Sequence, residues 1–299
     1  MLQFSAALFN QPANCAICEY PLTGIKRIRL RRSQLWQCCN CKSWTYLPRP
    51  DAATQAAIHD NADYFEHPYF QDRRSAQRQI DRRCRLIMQR IGAGMDLSIL
   101  AGEPLLDIGC DTGAFLASAA RQFGIRPIGV DVSAPAVTLA KQQGIKAYHT
   151  DLEQSPESLT DFLIITAIDV IEHVVNPRRL LKTIFSRLRP GGLTYLETPN
   201  IQSSVYQVGR LLCNLTGGTP TTVCERLFPP QHIQYFTPDS FQQLAKECGF
   251  EIILLEKRRL PFQDLATSRL IQLGLMPLQF FDKLSRTEIL IGMLLRRSI

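Results

Sequence analysis

The hydrophobic period changes along the chain, and that change carries most of the fold. From residue 103 onward, short apolar runs alternate with amphipathic stretches. "EPLLDIG" (103–109) ends in a turn, as a buried parallel strand does. "RPIGVDV" (126–132), "KAYHTD" (146–151), "DFLIITAIDV" (161–170) and "LTYLETPN" (193–200) predict four more strands. The stretches between them carry helix punctuation. "TGAFLASAARQFG" (112–124) stops at Gly124, and "PAVTLAKQQG" (135–144) is opened by Pro135 and closed by Gly144. A third helix has Asn176 as N-cap, Pro177 at its first position and an apolar face of Leu180, Leu181, Ile184 and Leu188, with Gly191-Gly192 as its stop. This alternation predicts a doubly wound α/β sandwich. Such sheets bind ligands beyond the carboxyl ends of their strands.

Upstream the pattern differs. Ile80, Cys84, Ile87 and Ile91 recur at helical spacing among arginines, which predicts a helix with one apolar face. Residues 49–70 contain "NADYFEHPYF" and read as a connector whose aromatic residues, Tyr64, Phe65, Tyr69 and Phe70, serve either as core or as pocket walls. The chain thus divides into a cysteine-bearing module (1–48), a connector (49–70) and an α/β domain (71–299). There is no internal repeat or low-complexity tract.

Charge adds little to this picture. The net charge of +7 is clustered at 26–32, 73–90 and 256–259, where it could attract an anionic substrate, a nucleic acid or a membrane surface. The helical spacing at 80–91 favours a solvated helix face instead. The opening "MLQFSAALFNQ" has no basic leader region, and the apolar run at 289–295 is too short to cross a bilayer. With ten cysteines, the chain reads as a cytoplasmic protein whose cysteines act as thiols or metal ligands.

Four of those cysteines are patterned. Cys15 and Cys18 form one Cys-x-x-Cys pair and Cys38 and Cys41 another, with nineteen residues between them. Two such knuckles can place four thiolates around a structural zinc ion, which closes the site and supplies folding energy to a small segment. Cys39 is an extra thiol with poorer spacing.

The turn after the first strand, "DIGCDTG" (107–113), carries two glycines and two acids. A dinucleotide site needs three glycines and open backbone amides for a pyrophosphate, which Asp107 and Asp111 would repel. The acids suit a cofactor bearing an ammonium and a sulfonium. Asp131 ends the second strand, where it can accept from both ribose hydroxyls. Asp151 ends the third, placed to accept from an adenine amine.

With these residues the sequence resembles the class I S-adenosylmethionine-dependent methyltransferases. The likeness rests on "LLDIGCDTG" (105–113), "GVDVS" (129–133), "TDL" (150–152), "DFLIITAIDVIEHV" (161–174) and "LRPGGLTYLETPN" (188–200), and "HIQYFTPDSFQQLAKECGF" (232–250) extends it. It is nearest to the branch holding ubiquinone-biosynthesis O-methyltransferases and sugar and natural-product methyltransferases. The resemblance implies a Rossmann-like sandwich with a mostly parallel seven-stranded sheet: a helix over 238–250, a sixth strand over 251–259 and an antiparallel last strand over 287–297. It further implies helical structure over 261–286 and a substrate-lid insertion over 201–231. It places Asp107, Gly109, Cys110 and Gly113 around the methionine part of the cofactor, and Asp131, Val132 and Ser133 at the ribose. Asp151 and Leu152 fall beside the adenine, and Asp169 borders the substrate. Asp111 stands where the family often has glycine.

Methyl transfer to a hydroxyl calls for a base, and the chain has five histidines. His232, after the insertion, is the candidate base; His173, in "DVIEHV", is the second. His149 is expected to face away from the cleft. Asp169, Glu172 and His173, joined by His232 or Glu225, form an alternative set for a catalytic divalent metal. The leading expectation is an enzyme methylating a small molecule: a sugar, an aromatic hydroxyl or a natural-product intermediate. The alternative is an RNA methyltransferase that holds nucleic acid with its zinc module and arginine patches. Nothing in the pattern fixes an oligomeric state.

Overall fold

The computed structural model describes residues 14–21, 26–29, 34–47, 73–217, 224, 227–259 and 287–298. The connector (49–70), the expected helical stretch (261–286) and Glu225 lie outside the described residues. Three short strands come first: β1 (Lys26–Arg29), β2 (Gln34–Gln37) and β3 (Trp44–Leu47). Helix α1 (Arg73–Ile91) follows, then β4 (Pro104–Ile108), α2 (Ala114–Phe123), β5 (Arg126–Asp131), α3 (Ala134–Gln142) and β6 (Lys146–His149). The second half holds β7 (Phe162–Ile168), α4 (Pro177–Arg187), β8 (Leu188–Pro199), α5 (Ser204–Leu215), β9 (Gln234–Tyr235), α6 (Pro238–Glu247), β10 (Phe250–Arg258) and β11 (Leu290–Arg297).

The central sheet has the order β10-β11-β8-β7-β4-β5-β6. Neighbours from β8 to β6 are parallel, while β11 is antiparallel to both β8 and β10, as expected. The chain moves outward from β4 through β5 to β6, then returns to β7 on the other side of β4. That reversal opens a crevice at the carboxyl ends of β4 and β7, where a ligand can enter.

The helix caps follow the sequence. Gly113 and Gly124 bracket α2 with φ values of 79° and 67°, a left-handed conformation that glycine adopts without a Cβ penalty. Ser133 caps α3, and Asn176 caps α4 by accepting the Arg179 N–H. The expected stop at Gly191-Gly192 is corrected: α4 ends at Arg187, and β8 runs from Leu188 straight through both glycines. A Cβ at Gly192 would meet the Arg189 and Phe162 carbonyl oxygens at 2.9 Å. Gly192 therefore relieves crowding inside a strand, where the ladder to β7 shifts register between Phe162 and Ile164, while Gly191 takes a left-handed φ of 77° in open space.

Helix α1 buries Cys84, Ile87, Met88 and Ile91 and leaves Arg78, Arg82 and Arg85 exposed. The small second sheet has the order β1-β2-β3-β9. Its last member comes from far along the chain, so the cysteine-bearing segment is joined by backbone hydrogen bonds to the α/β part. Cys213 and Cys224 are joined in a disulfide, which corrects the expectation that every cysteine serves as thiol or metal ligand. No helix among the described residues is long and apolar enough to cross a membrane.

Candidate active site

The turn from β4 into α2 is tight. Gly109 has φ 68°, and a Cβ there would meet Val170 Cγ2 at 2.5 Å. Asp111 also takes a left-handed φ, 48°, which a short polar side chain tolerates better than most. Asp131, the last residue of β5, shapes this turn: its Oδ2 accepts the Asp111 N–H and its Oδ1 the Ser133 N–H, both at 2.8 Å. Each carboxylate oxygen keeps a second lone pair for a ligand hydroxyl. Asp151 Oδ1 accepts the Gln154 N–H at 2.7 Å. Leu152 and Cys110 are buried, so their backbones rather than their side chains are left for a ligand. Cys110 instead fills the space over Gly129, where a Cβ would meet its Sγ at 2.5 Å. Val132 is exposed, and its carbonyl accepts from His149 Nε2 at 2.9 Å, which places that imidazole beside the outer rim.

Asp107 is buried and accepts the Thr166 hydroxyl at 2.6 Å. Burial pushes its carboxyl up to about 8, helped by the charges of Asp131 and Asp111. Burial and the Asp131 charge push Asp111 up to about 6. Three carboxylates, Asp107, Asp111 and Asp131, thus crowd one crevice, and among the described residues only the Arg83 charge offsets the repulsion at Asp107. A sulfonium and an ammonium would relieve that repulsion, whereas a pyrophosphate would add to it.

A second cluster lies beyond β7. Asp169 has φ 57°, and its carboxylate accepts Arg83 of α1 at 2.7 Å. The same guanidinium donates to Glu197 Oε1 at 2.9 Å, and Arg258 donates to the other oxygen of this fully buried carboxylate. Arg83 was not singled out in the sequence, although its place beside Cys84 put it next to the buried stripe. Glu172 is buried; its Oε2 accepts the Thr198 hydroxyl at 2.9 Å, and its Oε1 has no partner. Burial, then the Asp169 charge, lift its carboxyl well above the usual range. His173 Nδ1 donates to the Gln231 carbonyl at 2.9 Å. That bond fixes the proton on Nδ1 in the neutral ring and leaves Nε2 as the acceptor.

His173 and His232 meet edge to face with ring centroids 4.7 Å apart. Glu172, His173 and His232 each bring a ligand atom within 4.8 Å of the others. Asp169, expected in this set, turns to Arg83 instead. A cavity of about 210 Å³ opens here, lined by Asp169, Glu172 and His232 together with Pro199, Tyr206, Ile289 and Leu290. Tyr206 falls in the expected lid insertion; Pro199, Ile289 and Leu290 were not singled out, and the last two reach the site because β11 pairs with the end of β8.

The four patterned cysteines also converge. Cys15 and Cys41 sulfurs lie 3.6 Å apart, Cys18 and Cys38 sulfurs 3.5 Å, and all four fall within 4.8 Å of one another. A zinc ion with Zn–S bonds of about 2.3 Å needs an S···S edge of about 3.8 Å, so the cluster fits one tetrahedral ion. Left-handed turns at Glu19 (φ 60°) and Lys42 (φ 62°) bend the two knuckles. Cys39 stays outside the cluster.

Comparison with known proteins agrees with this geometry. The profile of the methyltransferase domain family matches residues 76–255. A Coxiella burnetii protein named ubiquinone biosynthesis O-methyltransferase is 32% identical over 160 residues, covering 52% of this chain. The match spans 66% of that relative's length. A SAM-dependent methyltransferase from Archaeoglobus fulgidus shares the fold with a TM-score of 0.53 at 18% identity, covering 79% of this chain and 100% of its own. The Haemonchus contortus phosphoethanolamine N-methyltransferase 2, solved with S-adenosyl-L-methionine, does so with a TM-score of 0.56 at 17% identity, covering 86% of this chain and 63% of its own. The chain belongs to the methyltransferase domain family and has its Rossmann-like fold.

Proposed function

We propose that the protein methylates a hydroxyl on a small, largely apolar molecule, with His232 as general base. The observation that carries this reading is the composition of the cavity: Pro199, Tyr206, Ile289 and Leu290 supply apolar walls, and His232 and Glu172 supply the polar groups. A sugar would leave many hydroxyls facing those apolar walls without partners. A single substituted ring suits the volume, since an apolar cavity of about 150 Å³ holds a benzene. The name of the Coxiella burnetii relative, an O-methyltransferase, favours oxygen as the acceptor atom.

S-adenosylmethionine supplies a methyl group already activated on sulfur. The protein's own residues then have to orient, dehydrate and deprotonate. Asp131 and Asp151 would hold the ribose and adenine, with the backbone of Val132, Ser133 and Leu152 beside them. Asp107, Asp111 and the turn at Gly109, Cys110 and Gly113 would hold the cationic end. Asp169, fixed by Arg83, forms the border between cofactor and acceptor. His232 would take the proton of the acceptor hydroxyl, and the apolar walls would keep water out. His173 supports His232 by ring contact. Arg83 and Arg90 of the basic helix are engaged by Asp169, Glu197 and Glu256, while Arg78, Arg82 and Arg85 face solvent.

A second reading is favoured by the unpartnered Oε1 of buried Glu172. Glu172, His173 and His232 would there hold a divalent cation that orients the acceptor oxygen. The domain plan that goes with both readings is a cysteine module over 1–48, a connector over 49–70 and a catalytic domain over 71–299 with its lid at 201–231. An acceptor screen with S-adenosylmethionine labelled on the methyl carbon tests the proposal. Phenols and catechols should be methylated and free sugars should not; methylation of sugars alone would refute it.

A further inference from the structure

The cysteine cluster and the transfer site are tied by a short mechanical path. Strand β3 begins three residues after Cys41, and Ser43 Oγ lies 2.8 Å from the Cys41 sulfur. Strand β3 pairs with β9, setting Trp44 opposite Tyr235 and Thr45 opposite Gln234. The buried Thr45 hydroxyl donates to Gln234 Oε1 at 3.1 Å, and the Tyr46 N–H donates to the Ile233 carbonyl at 3.0 Å. On its other flank this segment is held by Glu172, whose carbonyl accepts the N–H groups of both Ile233 and Gln234 at 3.0 Å. His232 is the next residue along. A two-residue strand has too few ladder bonds to hold itself, so β9 takes its position from the elements at its sides.

Strand β3 is held on its other side by β2 and at its start by the cysteine cluster, through Ser43. Cys15, Ile17, Cys38 and Cys41 pack in one core with Leu180, Phe236 and Phe241, and Arg178 donates to the Ile17 carbonyl at 2.7 Å. Metal binding is folding energy for such a segment.

We propose that the zinc ion held by Cys15, Cys18, Cys38 and Cys41 is a positioning element for the transfer site, acting through β3 and β9 on His232 and Glu172. This rests on the reading of His232 as the base. Its consequence differs from that of an independent zinc module, whose loss would leave chemistry untouched.

The test compares full-length wild type, Cys15→Ser and Thr45→Val. Metal content, S-adenosylmethionine affinity by calorimetry, histidine ring resonances and methylation of catechol as the probe acceptor are measured on each. Wild type should hold zinc. Cys15→Ser should lose it, keep its cofactor affinity, shift the His232 resonances and lose about 10–100-fold in turnover, the scale of a small misplacement of a catalytic group. Thr45→Val should keep zinc and still shift those resonances with a smaller loss of turnover, which decides the matter if Cys15→Ser does not fold. Wild type free of zinc, or unshifted His232 resonances in both variants, would overturn the proposal. So would cofactor affinity falling in step with turnover. If wild type leaves catechol unmethylated, the hydroxyl reading fails, while the resonance shifts still decide the coupling.

Discussion

His173 and His232 stand at right angles, ring against edge, at 4.7 Å, although one follows β7 and the other precedes β9. One imidazole of this pair is locked through Nδ1 to the Gln231 carbonyl, and the other lines the cavity. His232→Ala should therefore lower kcat by about 10²–10⁴, the usual worth of a positioned general base, with little change in cofactor affinity. Near-normal kcat would move the role to His173 or to alignment alone.

Asp131 has two tasks. It holds the Asp111 and Ser133 N–H groups and, in our reading, the ribose. Asp131→Ala should abolish S-adenosylmethionine binding by calorimetry. An unchanged dissociation constant would remove the assignment of this strand end to the cofactor.

The raised Asp111 carboxyl gives a pH signature. Its folded value of about 6 lies above the unfolded value of about 3.9, so the folded protein holds the extra proton. Stability of the ligand-free protein is therefore lost as pH rises from about 4 through about 6. A cation prefers the ionised carboxylate, so cofactor affinity should rise over the same window with release of a proton. Asp111→Asn should flatten both trends and raise the ligand-free Tm at pH 8 by about 2–4 °C, the shift expected for each kcal/mol in a domain of this size. Parallel pH curves for variant and wild type would refute this.

Chelation separates the two readings of the histidine cluster. If His232 is the base, EDTA lowers turnover only so far as it strips the cysteine-bound zinc, magnesium does not restore it, and Glu172→Gln has a small effect. Loss of turnover on chelation, restored by magnesium in wild type but not in Glu172→Gln, would establish the metal reading instead.

Much of this was legible because the signals were local. Alternating apolar runs gave the strands, Asn176 and Gly124 gave the helix ends, and the Cys15–Cys18 and Cys38–Cys41 spacing gave a cluster that the fold closes. The run of Gly191-Gly192 misled, since glycine stops a helix and relieves a crowded strand with equal ease. Arg83, Ile289 and Leu290 were hidden for another reason. Their part in the site depends on pairings between distant segments, such as β8 with β11, and no window of sequence contains both partners.

The four-stranded sheet also sets an order on biogenesis. Residues 44–47 leave the ribosome early, but their partner edge at 234–235 emerges only after the nucleotide half of the central sheet has been made. Contacts so far apart in sequence form slowly. The thiols of the nascent segment therefore wait beside an open strand edge until that partner is made.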